Sequence, residues 1–185
     1  METLFTFPLA AILLVAVVTD LRSMRIPNWL TLPSILIGVG LHTLTQGTDG
    51  LIFSLYGLAL GLGVMLLPFI FGVMGAGDVK LMAAVGAFLG AKGVFHAFIW
   101  TSLAGGIYAL GVLLFHAEQL RAIFRAIRNS LAFLSATGEF SYIPATKPDK
   151  LPRLCYGLAI AAGTLFSLLP ASDWARVLPA ILQAF

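Results

Sequence analysis

Six apolar segments run along the chain, separated by short polar or glycine-containing breaks. They cover residues 4–19, 29–45, 51–73, 79–91, 93–116 and 154–170. Roughly 20 helical residues are needed to cross the hydrocarbon core of a bilayer. The fourth segment is short for a crossing, and tilt, local bilayer thinning or protein around its ends would complete it. The pattern predicts an all-α, multi-pass membrane protein with about six transmembrane helices, forming a single membrane-embedded domain over 1–185.

The composition agrees with a membrane location. Of the 185 residues, 59% are hydrophobic and 10% are charged, whereas soluble domains carry about 25% charged residues. The net charge of +3 could indicate nucleic acid. The basic residues, however, lie between apolar segments, where Lys and Arg anchor helices at the membrane surface. We therefore expect membrane lipid and not nucleic acid as a partner.

The first apolar segment raises the question of a signal peptide. A cleaved signal peptide typically has basic residues before its apolar run and an A-x-A site after it. Here no Lys or Arg precedes the segment, and no A-x-A site stands before Asp20. We interpret the segment as a retained helix.

The basic residues also predict the orientation of the chain. Nine of the eleven lie in 20–28, 74–80 and 117–153, which share one side of the membrane if there are six spans. Lys and Arg concentrate on the cytoplasmic side. These three segments are therefore predicted to be cytoplasmic, with both termini outside.

The longest of these segments, about 117–152, has two parts. Over 119–134 apolar residues recur at helical spacing, while Arg121, Arg125 and Arg128 line another face. This pattern is typical of a helix lying on anionic lipid headgroups. Residues 135–150 are polar and contain proline, which predicts an irregular loop.

Glycines recur four residues apart in two of the segments. Gly57 and Gly61 lie in the third, and Gly86 and Gly90 lie in the fourth. Small residues at this spacing let membrane helices approach closely. We expect tight helix packing there and assign no chemistry to these residues.

Two of the eight acidic residues directly abut apolar segments. Asp20 ends the first segment, and Asp78 stands before the fourth. An ionisable residue at membrane depth is costly and suggests function, although each aspartate alone could simply mark a helix boundary. Two spans separate the pair, so both carboxyl groups are predicted at the cytoplasmic edge.

Two neighbouring carboxyl groups in a low-dielectric site suit acid–base chemistry. One keeps its proton while the other is ionised, so the pair offers an acid and a base together. The base can deprotonate a water that attacks a peptide carbonyl, and the acid can protonate that carbonyl. This chemistry needs no metal and no cofactor, and the sequence does not assign the two roles. A transporter or channel subunit that binds cations at the aspartates, or an assembly scaffold, are the alternatives.

Potential nucleophiles and metal ligands are few. Cys155 is the only cysteine, which excludes an internal disulfide and a cysteine-rich zinc site. His42, His96 and His116 lie near predicted helix ends and are interpreted as interfacial residues. We predict no metal site.

The residues around Asp78 favour a substrate-binding role. Gly75 and Gly77 permit close backbone approach and unusual backbone conformations, so a substrate backbone could lie there. Asp78 also stands at a predicted helix N-terminus, where capping would explain it equally well. Lys80 is either a membrane-surface anchor or a substrate contact.

Three stretches carry a family resemblance. GAGD at 75–78, followed by V-K-L, resembles the GxGD motif of membrane aspartyl peptidases. Asp20 stands six residues before I-P-N (26–28), as does the first catalytic aspartate of the type IV prepilin peptidases. LCYGLAIAAG (154–163) is similar to the P-Y-G-x-A-I-A-x-G stretch of their last helix, with Cys155 where proline is usual. The resemblance covers roughly residues 12–165.

The resemblance implies a membrane aspartyl endopeptidase with Asp20 and Asp78 as the catalytic pair. It would cut the leader of a prepilin or pseudopilin after a glycine, at the cytoplasmic face of the bacterial inner membrane. Asn28 and Tyr156 would approach the site; Asn28 could equally cap a helix, and Tyr156 could equally be a core or interfacial aromatic. Presenilin-type and signal-peptide peptidases share GxGD but lack the I-P-N sequel.

The resemblance also implies a subtype. The long prepilin peptidases carry paired CxxC motifs in an N-methyltransferase domain, and this chain has no cysteine pair. It is similar to the short peptidase-only form of the tight-adherence (Flp) pili, the CpaA/TadV type. The sequence leaves open whether the active unit is a monomer or a homo-oligomer.

Overall fold

The computed structural model describes residues 2–72, 74–115, 128 and 155–168. Within these ranges there are four α-helices and no strand: α1 (Glu2–Ser23), α2 (Asn28–Ile70), α3 (Ala76–Phe115) and α4 (Tyr156–Leu168). Three stretches, Leu4–Ser23, Asn28–Ile70 and Ala76–Val112, are long and apolar enough to cross a membrane. The predicted all-α membrane class is confirmed.

The chain divides into two units by its internal contacts. The first comprises residues 1–105 and 155–185, and the second comprises 106–154. Of the second unit the structure describes only the end of α3 and Arg128. The amphipathic helix and irregular loop predicted over 117–152 lie outside the described residues apart from Arg128.

Both long helices break at a glycine. α2 breaks at Gly47 (φ 63°, ψ −136°), and α3 breaks at Gly90 (φ 68°, ψ −178°). A positive φ is strained for residues with a Cβ, so glycine is the residue that makes such a break at little cost. The break at Gly47 falls between the second and third predicted apolar segments, and the break at Gly90 falls one residue before the end of the fourth.

The chain reverses direction at Gly47. Along α2, the contacts with α3 pair Asn28 with Lys80, Gly38 with Phe88, Ser54 with Ala87, and Gly61 with Met82. The contacted position on α3 thus rises from 80 to 88 before the break and falls from 87 to 82 after it. The two halves of α2 are therefore antiparallel, and both pack on the first half of α3. The count of six crossings remains a prediction.

The first half of α3 lies at the centre of the bundle. Leu81, Met82 and Val85 have no exposed surface, and nearly all side chains over 79–90 are buried. A helix that is apolar all round is stable when other helices surround it. Of the three explanations for the short fourth segment, enclosure by protein is the one that the structure supports.

The glycine pairs lie where α2 meets this central segment. A Cβ placed on Gly57 would overlap the carbonyl oxygen of Gly86 and would lie 2.6 Å from the Cα of Gly90. At Gly61 it would lie 3.0 Å from the carbonyl carbon of Met82. The expected close packing at these glycines is confirmed.

The break at Gly90 exposes backbone carbonyls inside the bundle, and α2 supplies donors for two of them. The Ser54 hydroxyl donates to the Ala87 carbonyl at 2.7 Å, and His42 Nε2 donates to the Phe88 carbonyl at 2.8 Å. Carbonyls near a helix end lack intrahelical donors, and unpaired backbone groups are costly in a membrane. These two side chains therefore make the break tolerable.

The prediction that His42 is an interfacial residue is wrong. Its side chain is only 4% exposed and its ring stacks on Phe5, with centroids 4.2 Å apart. The reason is the partner on α3: a buried carbonyl needs a donor, and the imidazole N–H is placed to provide one.

The beginning of the second half of α3 packs against α4. A Cβ on Gly163 would overlap Thr101, and one on Gly105 would lie 2.9 Å from the Tyr156 hydroxyl. Position 101 thus faces 163, and 105 faces 156, so the two helices are antiparallel. This arrangement places the start of α4 beside the end of α1, which carries the candidate site.

Candidate active site

Asp20 lies in the last turn of α1, and its side chain is buried at 5% exposure. The helix ends at Ser23, and Met24 follows in a left-handed conformation (φ 49°). The Met24 N–H donates to the Asp20 carbonyl oxygen at 2.7 Å. This is a left-handed C-cap with methionine at the position that glycine usually occupies. The cap turns the chain sharply away immediately after Asp20.

The turn carries the chain across the start of α3. Ile26 is buried at 7% exposure, and a Cβ on Gly77 would lie 2.9 Å from the Ile26 carbonyl oxygen. Gly77 is thus required for contact between the 24–27 segment and α3. This contact joins the Asp20 end of α1 to the Asp78 end of α3.

Asp78 lies in the first turn of α3 and is 8% exposed. Its Oδ2 accepts a hydrogen bond of 3.0 Å from the Gly75 N–H, while its own N–H donates to the Gly75 carbonyl at 3.1 Å. This resembles the half of a capping box in which an acidic side chain reaches back to the residue before the helix. The predicted capping role is therefore present, and the carboxyl group is also held in one orientation.

The two carboxyl groups come together. Asp20, Asp78 and Cys155 lie within electrostatic reach of one another, and Tyr156 lies within reach of Asp78. Four chain segments meet here: the end of α1, the 24–27 turn, the start of α3 and the start of α4. The sequence prediction that Asp20 and Asp78 are neighbours in space agrees with this geometry.

Asp20 is held by α4. Its Oδ2 accepts a 2.8 Å hydrogen bond from the N–H of Gly157, in the first turn of that helix. The Cys155 sulfur lies 3.9 Å from the Asp20 carbonyl oxygen. Each aspartate is thus bonded through Oδ2 to one backbone N–H near a helix N-terminus, where the helix dipole favours negative charge.

The described hydrogen bonds use one oxygen of each carboxyl group. Among the described residues, the hydrogen bonds to both side chains end on Oδ2. Each Oδ1 is therefore left for the other aspartate, a water or a bound molecule. Two oriented carboxyl groups with one oxygen each to spare can hold and exchange a proton.

One comparison with known proteins identifies a family. The model of the type IV leader peptidase family matches residues 7–110, more than half of the chain and a range that includes both aspartates. The chain belongs to the type IV leader peptidase family. Its relatives by family are prepilin-type leader peptidases, and its apolar helices make it a membrane protein. No curated protein and no solved structure matches the chain.

The structure places the other predicted residues of this leader peptidase around the pair. Asn28 does not cap α2, which begins after Pro27 without a side-chain cap. Its Oδ1 instead accepts a 2.8 Å hydrogen bond from Lys80 Nζ at an exposed edge. Tyr156 is half-buried against Gly105. Neither Asn28 nor Lys80 contacts an aspartate in the described structure.

The two glycines of the GxGD motif play different parts. Gly75 supplies the N–H that holds Asp78, and Gly77 gives room to Ile26. The expectation of an unusual backbone conformation is wrong at both, because neither has a positive φ. Close approach, and not conformational freedom, explains glycine at Gly77.

One residue of the site was missed at the sequence level. Gly157 lies within the stretch that resembles the last prepilin-peptidase helix, but the resemblance predicts only Tyr156 of that stretch as a site residue. The signal was a glycine at the start of an apolar segment, where a bare backbone N–H is available. Its partner, 137 positions earlier in the chain, cannot be read from local pattern.

Proposed function

We propose that this leader peptidase is an aspartyl endopeptidase in which Asp20 and Asp78 activate water. The observation that supports this most is the pairing of two buried carboxyl groups from different helices, each oriented by one backbone N–H. Burying two ionisable side chains in a membrane protein costs free energy. Catalysis in a peptidase family would account for that cost.

The reaction begins with one proton shared by the pair. Two neighbouring carboxyl groups do not readily ionise together, so one is the acid and the other the base. The base removes a proton from water as the water oxygen bonds to the peptide carbonyl carbon. The acid donates its proton to the carbonyl oxygen, which gives a neutral tetrahedral intermediate.

The same pair completes the cleavage with its roles exchanged. The first aspartate, now protonated, donates to the leaving nitrogen as the carbon–nitrogen bond breaks. The second aspartate recovers a proton from an intermediate hydroxyl group as the carbonyl re-forms. The products are a carboxylic acid and an amine, and the pair returns to one shared proton. The backbone N–H bonds keep both carboxyl groups in place throughout, so little reorganisation opposes the reaction.

The substrate is proposed to be a prepilin or pseudopilin whose apolar segment lies in the bilayer. The concentration of Lys and Arg in segments next to the pair supports cleavage at the cytoplasmic face of the bacterial inner membrane. The 185 residues contain no cysteine pair, as in the Flp-type form that the chain resembles. The exposed Lys80–Asn28 pair lies on α3 and α2 near the site, and Gly75 and Tyr156 lie beside the pair; these are the proposed substrate contacts.

The cation-binding alternative has less support. Both aspartates lie at one end of the bundle and not along a path through it.

Asparagine variants test the proposal, because they keep size and remove titration. Asp20→Asn and Asp78→Asn should each abolish cleavage of a co-expressed prepilin while the protein remains in the membrane. Because the pair acts as a unit, the double variant should be no worse than either single one. Asp49→Asn, at an exposed position, is the matched control and should cleave normally. Full cleavage by either single variant would exclude this mechanism.

A further inference from the structure

We propose that Gly157 is a positioning residue for Asp20, and that its backbone N–H and missing side chain together set the place of that carboxyl group. This role rests on the proposed aspartyl peptidase function. It goes beyond the aspartate pair itself, because Gly157 lies outside both the GxGD motif and the matched range of the family.

The contact is direct and buried. The Gly157 N–H donates to Asp20 Oδ2 at 2.8 Å, and both residues are buried. A Cβ on Gly157 would lie 2.9 Å from that same oxygen, 3.1 Å from the Asp20 Cβ and 3.3 Å from its Cγ. All three nearest atoms belong to Asp20. The space that glycine leaves open is therefore occupied by the carboxyl group it binds.

The place of Gly157 in α4 explains why its N–H is available. α4 begins at Tyr156, so Gly157 is its second residue. The first four N–H groups of a helix have no partner within the helix. Asp20 satisfies one of them from a different helix, as an N-cap side chain would from its own. Asp78 instead accepts its bond from the N–H of Gly75, the residue just before its own helix α3.

Alanine at 157 would have two effects on Asp20. The methyl group would force the carboxyl group away from its present position, and the hydrogen bond would lengthen or break. A misplacement of about 1 Å in a catalytic group costs about 100-fold in rate. The substrate-binding surface need not change, so kcat should fall while KM stays close to the original value.

The kinetic experiment compares glycine-to-alanine variants. Gly157→Ala should lower kcat for prepilin cleavage about 100-fold at nearly unchanged KM. Gly40→Ala is the control, because a Cβ added there would have no neighbouring atom within 4 Å, and it should keep full activity. Wild-type kcat in Gly157→Ala would overturn the proposal and leave the aspartyl mechanism intact.

A stability measurement separates positioning from general packing. Gly157→Ala should lower Tm in the wild-type background and lower it less in an Asp20→Ala background, because two of the three crowded atoms are then gone. If Gly157→Ala does not fold, the Asp20→Ala background should restore the fold. An equal loss of Tm, or of folding, in both backgrounds would overturn the proposal. The Tm measurement does not depend on cleavage. Normal cleavage by Asp20→Asn would therefore refute the proposed function and leave the Tm test of Gly157 unchanged.

Discussion

The close contact between Gly57 and the central helix α3 gives a sharp test of the fold. Replacing Gly57 by alanine adds one methyl group that would overlap the Gly86 carbonyl oxygen and lie 2.6 Å and 2.7 Å from the Cα and carbonyl carbon of Gly90. Carbon atoms pack best at about 3.5–4.0 Å. The two helices would therefore have to separate by about 1 Å.

The loss of stability expected for Gly57→Ala depends on which atoms of α3 must move. All three crowded atoms are backbone, so no flexible side chain can yield. Overpacking of this kind costs about 1–3 kcal/mol and sometimes more. The separation would also stretch the nearby Ser54 hydrogen bond to Ala87, now 2.7 Å. We expect Gly57→Ala to lower the free energy of unfolding by about 2–4 kcal/mol, combining the overpacking with part of one buried hydrogen bond.

A second glycine in the same half of α2 should respond in the opposite direction. Gly63 is exposed, an added Cβ would have no neighbouring atom within 4 Å, and its φ is not positive. Alanine there should raise the free energy of unfolding by about 0.5–1 kcal/mol, because glycine has the higher conformational entropy in the unfolded chain. The same glycine-to-alanine change in one helix is thus expected to lower the free energy of unfolding at position 57 and to raise it at position 63.

Thermal unfolding of the purified protein in detergent, followed by tryptophan fluorescence, measures both variants. The expected order of Tm is Gly63→Ala, then wild type, then Gly57→Ala. If Gly57→Ala unfolds at or above the wild-type temperature, the close packing of the second half of α2 on α3 is wrong. Co-expressed prepilin then shows whether the destabilised variant still reaches an active fold.

Two further outcomes follow from the site. Met24 has φ 49° and is 52% exposed. Met24→Gly should therefore stabilise the protein by about 0.5–1 kcal/mol, whereas Met24→Ala keeps the backbone strain and should not stabilise it. Equal Tm values for the two variants would contradict the strain. Cleavage should survive EDTA and Cys155→Ser and should pass through a rate maximum with pH, since one aspartate must be protonated and the other ionised. Loss of activity on chelation that zinc restores would make the aspartates metal ligands instead.

Much of the fold was predictable because hydropathy is a local property. A run of apolar residues reports that a helix can be buried in lipid or protein, and an interrupting glycine reports where the helix can break. The break at Gly47 falls between two predicted segments, and the break at Gly90 falls next to a predicted boundary, at the end of the fourth segment. The placement of Asp20 and Asp78 at one edge was predicted from the number of segments between them.

What was missed depends on the register between helices. His42 and Gly157 bond to partners 46 and 137 positions away, respectively. Whether a polar residue faces lipid headgroups or an unpaired carbonyl is decided by how far one helix slides along another. Hydropathy along a single segment contains no information on that distance. The sequence therefore predicts an interfacial His42 and indicates no role for Gly157.

The bond between Asp20 and Gly157 decides when, during synthesis of the chain, Asp20 can reach its final position. A ribosome makes the two aspartates early, but it must add 137 residues after Asp20 before the N–H that holds it exists. At about 5–20 residues per second this takes roughly 7–27 s. Once Asp78 has also been added, the nascent chain carries both aspartates without the contact that orients one of them. On the proposed mechanism, full proteolytic activity is reached only when α4 joins the bundle, so the growing chain cuts neighbouring proteins more slowly while it is still being inserted.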